Sequence, residues 1–322
     1  DSIEFKNFSS TNNPARFRIF NPLLTFDQGL IFHHNSPLIK IDKCSNLVWL
    51  NSEDRFHHSN EYDHEYNIWS PSHIYPFQLD SPYIGNEMTN FYDDGIAKFS
   101  KDGELILNKS VGKILINNGY KSKVFGSSML SAQGDPIHLN DIQPVITDSE
   151  YWKKGDVFLS LRNTSSIILY RPSTDKIIKL IEGPFSMQHD INIIDNEKIS
   201  VFDNNVVHTT FDQVVVDKSN RIVTYNFRTN SFEVTNIDGF IENEIKTAFE
   251  GRGSIQKNGD IFVEESSRGR ILYFNSAGDL AWEYISRSEN DKIYRLTWSR
   301  ILDDENSLKI INSLRNSSKE CN

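Results

Sequence analysis

Four stretches of the chain place side chains capable of chemistry at the start of strand-like runs. They are "DRFHHSNEYDHEYNIWSPS" (54–72), "GDPIHLNDIQPV" (134–145), "SMQHDINIIDNEKISVFDN" (186–204) and "GRGSIQKNGDIFVEES" (251–266). The first three offer histidines: His58 with His57 beside it, His138 and His189. The fourth offers Ser254. Arg162 closes the alternating run "VFLSLR" downstream of His138. A single histidine opening a strand is usually a hydrogen-bonded structural residue. Three at matching positions of a repeat point to one shared polar pocket. His33, His34, His64, His73 and His208 lack that register and read as solvated or structural.

Two chemistries fit three imidazoles and a guanidinium. Histidine is the commonest metal ligand, and three would suit zinc in a hydrolase or lyase. Alternatively, sulfuryl or phosphoryl transfer spreads charge over peripheral oxygens, and positioning plus electrostatic stabilisation does most of the work. A neutral imidazole then serves as nucleophile while the guanidinium fixes the anion. A propeller that merely binds an anionic ligand, without turnover, would use the same groups. Residue types alone leave these readings open.

The elements that must carry these residues are strands. Helical periodicity is scarce, and short β-rich runs end at Asp, Asn, Ser or Gly turns. "VFLSLRNTSSIILYRPSTDKIIKLI" (157–181) aligns without a gap on "IFVEESSRGRILYFNSAGDLAWEYI" (261–285). The alignment sets Arg162 opposite Ser266. The same strand–turn–strand unit recurs at 37–50, 94–107 and 220–234. Recurrence at this spacing predicts an all-β, six-bladed β-propeller rather than a seven-bladed one or a sandwich pair. Residues 1–322 are read as one domain. The sixth blade would come from "YRLTWSRIL" (294–302) and "SLKIIN" (307–312), with N-terminal strands closing the ring. Segments 71–92 and 118–136 read as long inter-strand loops walling the axial pocket.

Composition narrows the function further. The 322 residues carry a formal charge of −10 with no Lys/Arg run, which argues against nucleic acid as a partner. Apolar runs are too short to span a bilayer. Residues "DSIEFKNF" show no charged-then-apolar leader pattern. Cys44 and Cys321 have no metal-finger spacing, so no structural zinc is expected, and spacing gives no support for their pairing.

With these residues in view, the chain resembles the bacterial arylsulfate sulfotransferase family. The likeness lies in "DPIHLNDIQPV…GDVFLSLRNTSSIILY", in "GPFSMQHDINIIDNEKISVFDNN", in "FHHSNEYDHEYNIW" and in "GSIQKNGDIFVEESSRGRILYFNSAGDLAWEY". It runs from about residue 37 to 285. The resemblance implies transfer of sulfate from a phenolic ester to a phenol by a ping-pong route, with no cofactor and no metal. Its partners would be a small aryl sulfate and a phenol, in a periplasmic or secreted setting. It implies His189 as the residue sulfated on its ring nitrogen, and His138 and Arg162 as holders of the sulfuryl oxygens. His58 would act on the same anion or on the phenol. His57, Asn140, Asn204 and Ser254 would lie around the substrate. Asp190, next to His189 on an alternating strand, should point away from the pocket.

Overall fold

Alternating apolar runs separated by turn-forming residues bury one face each and pair with their neighbours, so the chain folds as successive antiparallel meanders. A computed structural model describes residues 19–33, 37–79, 91–126, 134–210, 213–289, 292–317 and 321. His34 lies outside the described residues.

Among the described residues, five sheets are arranged as propeller blades, each with four strands on its main path, and a sixth, two-stranded sheet is an insertion. Blade 1 is β1 (Phe20–Leu24), β2 (Leu30–His33), β3 (Leu38–Ile41) and β4 (Leu47–Asn51). Blade 2 has a split inner strand, β5 (Arg55–Phe56) and β6 (Glu61–Tyr62), followed by β7 (Ile68–His73), β8 (Asp94–Phe99) and β9 (Leu105–Ser110). Helices α1 (Val111–Asn117) and α2 (Ser122–Phe125) then lead to blade 3. That blade holds β10 (Leu139–Pro144), β11 (Val157–Leu161), β12 (Ser166–Arg171) and β13 (Lys176–Glu182). Blade 4 begins with β14 (His189–Ile193) and β15 (Lys198–Asp203). An inserted hairpin, β16 (Val206–Thr210) with β17 (Gln213–Val216), precedes its outer strands, β18 (Arg221–Asn226) and β19 (Ser231–Thr235). After α3 (Ile237–Glu242), blade 5 holds β20 (Arg252–Ile255), β21 (Ile261–Glu265), β22 (Arg270–Phe274) and β23 (Leu280–Ile285).

The five hairpins visible in the sequence are therefore one per blade. Each turn uses a residue with positive φ: Ser45, Gly103, Asp175, Asn230 and Gly278. These residue types tolerate, or in glycine's case freely adopt, the left-handed region that the turn requires. At Gly103 the choice is also steric, because a Cβ would lie 2.6 Å from the Trp49 ring.

The expected sixth blade is corrected by the structure. Residues 294–302 contain no strand, and "SLKIIN" lies inside helix α4 (Glu305–Ser317). Asp304 caps that helix by accepting from the Ser307 N–H at 2.9 Å, and Lys309 pairs with Glu305 one turn apart. Local capping overrides the strand-like run of apolar residues. The 71–92 reading also changes, since β7 extends to His73, and 118–136 contains α2. Residues 80–90 and 127–133 lie outside the described set.

Apolar clusters seal four of the blade-to-blade seams. Phe56 and Phe99 pack on Leu23 and Ile31, and Trp69 and Ile96 on Leu139 and Ile142. Phe158 and Ile167 meet Ile191 and Val201, and Phe202 and Ile222 meet Val263 and Phe274. Between blades 5 and 1 the seam is polar. Segment 297–300 bonds Glu264 through the Trp298 and Ser299 N–H groups on one side. On the other side Thr297 donates to Ile19 O, and Arg300 donates to Pro22 O, Asn60 O and Glu61. Cys44 and Cys321 form a disulfide that ties the tail to blade 1.

Candidate active site

Inner strands are linked by side chains that accept peptide N–H groups from the next blade. Ser59 accepts from Ile142, Asp141 from Ile191 and Asp190 from Gly253. Bulges at Asn140 and Asp190 let the chain turn a side chain sideways at these points. Asp190 (φ 53°) does point away from the pocket, as expected, but through this bulge rather than through simple alternation. Its carboxylate pairs with the Arg252 guanidinium at 3.0 Å.

His189 opens β14 and is 1% exposed. Its Nδ1 lies 2.7 Å from Asn204 Oδ1. The Asn204 amide has one workable orientation, because its Nδ2 donates to Thr247 O and Glu250 O at 2.9 and 2.8 Å. Oδ1 is thus an acceptor, the proton sits on His189 Nδ1, and Nε2 keeps its lone pair. Burial, and then the Arg162 charge, lower the His189 pKa to about 3. The ring is therefore neutral at ordinary pH.

A cavity of about 270 Å³ lies in front of this ring, lined by His57, His58, His189, Phe20, Ser266 and Trp298 among others. This is near the lower end of the range for ligand pockets, about 300–1,000 Å³. The His58 ring centroid is 5.9 Å from that of His189 and 5.1 Å from that of His138. His57 Nδ1 and His58 Nδ1 are 2.7 Å apart, so one proton is shared between them. Burial first, then the neighbouring imidazoles, push both pKa values well below the ordinary histidine value. Both residues of the pair line the cavity.

His138 adopts a left-handed backbone (φ 53°), and its Nδ1 donates to the Asp135 carboxylate. Burial pushes the Asp135 pKa up, but the His138 hydrogen bond and nearby positive charge outweigh it and hold the group below the usual range. Arg162 starts a 3₁₀ turn after β11, and its N–H donates to His138 O at 3.1 Å, so the two stay side by side. Its guanidinium donates to Asn163 Oδ1 and lies over the Phe249 ring. Residues 145–156 join the opposite end of the β10–β11 hairpin and leave this pair undisturbed. Ser266 starts the matching 3₁₀ turn of blade 5, as the gapless repeat alignment requires.

Five expected residues are not on the cavity wall: His138 and Arg162, which sit beside it, and Asn140, Asn204 and Ser254. Asn140 donates to Gln188 O at 2.7 Å and so fixes the backbone just before His189. Ser254 bonds Gln256 at 2.8 Å, while Ser266 takes the place expected of it. His33, read as structural, is fully buried, lines the cavity and sits 3.0 Å from His58 O. The sequence reading missed Asp135, although the spacing of "DPIH" would suit an Asp–His pair. Phe20 and Trp298 gave no local signal, because their places depend on how the chain ends meet.

The molecule is thus a β-propeller whose inner strands gather imidazoles around one axial cavity. The chain belongs to the arylsulfotransferase (ASST) family, whose pattern it matches over residues 21–287. That membership supports a transferase. No curated protein matches the chain. Among solved structures, a Bacteroides caccae protein of unknown function shares 11% identity over 83% of this chain and 81% of that one, with a TM-score of 0.52. Virginiamycin B lyase from Staphylococcus aureus is similar at 10% identity over 84% of this chain and 71% of its own, with a TM-score of 0.45. At these identities the likeness concerns the fold alone.

Proposed function

We propose that the chain moves a sulfuryl group from an aryl sulfate ester to a phenol through a sulfohistidine at His189, in a ping-pong sequence. The observation that carries this reading is the neutral His189 ring, its Nδ1–H held by Asn204 and its Nε2 left as a lone pair beside a cavity. In the first half-reaction Nε2 attacks sulfur, the S–O(aryl) bond breaks, and the phenolate departs under a hydrogen bond from the His58 ring, taking its proton from solvent. In the second half-reaction an acceptor phenol gives its proton to solvent under the same hydrogen bond, its oxygen attacks sulfur, and the N–S bond breaks. With the solvent proton counted, each half-reaction conserves charge and protons.

Arg162 and His138 hold the sulfuryl oxygens, with Asp135 orienting the His138 ring through its Nδ1. His58 faces the phenolic oxygen. Phe20 and Trp298 give the aryl ring apolar walls. The Trp298 Nε1–H is buried without a partner and offers a donor to the ligand. The Cys44–Cys321 disulfide supports an oxidising compartment, periplasmic or secreted.

The test is incubation with a phenyl sulfate ester in the absence of acceptor. Phenol release in a burst of one equivalent, with an acid-labile sulfate on the protein that is absent from His189→Asn, is the expected result. No adduct and no phenol release would remove the proposal.

A further inference from the structure

Beside the cavity, His57, His73 and Asp94 form a second cluster; His57 also lines the cavity, while His73 and Asp94 take no part in the sulfuryl transfer proposed above. The nearest ligand atoms of the three all lie within 4.8 Å of one another. His57 Nε2 is 3.7 Å and His73 Nε2 is 3.6 Å from the same oxygen, Asp94 Oδ1. These separations are too long for hydrogen bonds, which need about 2.7–3.2 Å. They match two ligands of one cation bound at about 2.0–2.2 Å with an angle near the tetrahedral value or somewhat wider. Asp94 is completely buried, and neither of its oxygens has a hydrogen-bond partner; His57 Nε2 is also buried without one. The N–H groups of His138 and Leu139 approach the carboxylate and ease part of its charge. A carboxyl group buried in this setting is completed either by a proton or by a cation, and the two imidazole nitrogens facing the same oxygen suit a cation.

The framework holding the three groups is rigid. His73 and Asp94 are directly paired residues on β7 and β8, and the His57 N–H donates to Pro71 O at 3.1 Å. Tyr92 packs on the His73 ring at 4.5 Å between centroids. Asp135 Oδ1, also buried and unpartnered, adds negative potential next to His73. We infer that His57, His73 and Asp94 form a binding site for one divalent transition cation of the zinc class, with a fourth position open. Two imidazoles and a carboxylate are the donor set of many zinc sites that keep an open position.

Such an ion would act on the cavity through one hydrogen bond. A cation on His57 Nε2 leaves the proton on His57 Nδ1, which donates to His58 Nδ1 across the 2.7 Å contact. His58 then carries its own proton on Nε2, the nitrogen left for the cavity. The ion thereby fixes His58 as a donor toward the phenolic oxygen. This last consequence rests on the proposed sulfuryl transfer; cation binding itself does not.

The experiment is titration of chelator-treated full chain with cobalt(II) chloride and then zinc chloride, without any sulfate ester. The expected results are one equivalent bound, visible bands of a low-symmetry cobalt site that zinc abolishes, and a higher Tm with zinc. His73→Ala should weaken binding by about 100-fold or more, while His189→Asn should bind normally. If His73→Ala fails to fold, Asp94→Asn and the wild-type cobalt spectrum decide the point. Nitrogen-15 imidazole spectra should place the His58 proton on Nε2 when zinc is bound. No binding by the wild type, or binding lost in His189→Asn and kept in His73→Ala, overturns the site. Because no donor is present, failure here is distinct from failure of sulfuryl transfer.

Discussion

Asn204 Oδ1 accepts a hydrogen bond from His189 Nδ1 at 2.7 Å, and the Asn204 Nδ2 is committed to Thr247 O and Glu250 O. The amide therefore cannot flip, and it selects the imidazole tautomer with Nε2 unprotonated. Asn204→Leu removes that selection and leaves the ring in place by packing. Adduct formation should fall about 10–100-fold with little change in KM, the range seen for partners that orient a reactive histidine. Single-turnover phenol release measures it, and an unchanged rate would separate Asn204 from the chemistry.

The pH profile follows from the lowered His189 pKa of about 3. Above that value the ring is unprotonated, so lowering the pH from 7 to 5 leaves the nucleophile intact. The single-turnover rate should show no acid limb near 6.5, the ordinary histidine value. An inflection there that follows His189 would contradict the assignment.

Trp298 faces the cavity and also covers the Arg252 guanidinium, 5.0 Å from its ring centroid. Trp298→Phe should keep the cover and lose the indole donor, raising KM for an aryl sulfate about 3–10-fold. Trp298→Ala should raise it further and lower Tm. Steady-state kinetics of both variants check this, and equal KM values in all three proteins would place the aryl ring elsewhere.

Arg300 closes the polar seam by bonding Pro22 O, Asn60 O and Glu61. Arg300→Ala leaves Glu61 half-buried without that guanidinium, and the expected loss is about 2 kcal/mol. Thermal unfolding should show a Tm lower by several degrees. A Tm within one degree or so of wild type would mean that the seam is held elsewhere.

The Cys44–Cys321 disulfide spans 277 residues of sequence. Reducing it, or making Cys44→Ser, should destabilise the chain by about 2–5 kcal/mol under a loop-entropy account. Denaturant midpoints with and without reductant measure the change. His189 chemistry in folded protein should be unaffected, since the pair lies outside the cavity lining.

The sequence by itself determined the hairpins, their turns and the register of the His138, Arg162 and His189 positions. Those features are local. A left-handed turn residue, an apolar alternation and a gapless repeat each act within one meander, so they can be read along the chain. Blade number was not local. The fifth-to-first seam is made by residues 297–300, which carry no strand pattern, and Asp304 turns the following segment into a helix. Likewise, His73 and Asp94 look unremarkable in sequence and become a cluster only because β7 and β8 pair beside His57. Trp298 reaches the cavity solely because the chain ends meet there. Tertiary structure decided these points because burial and charge are set by neighbours distant in sequence, and no local pattern encodes which neighbours those are.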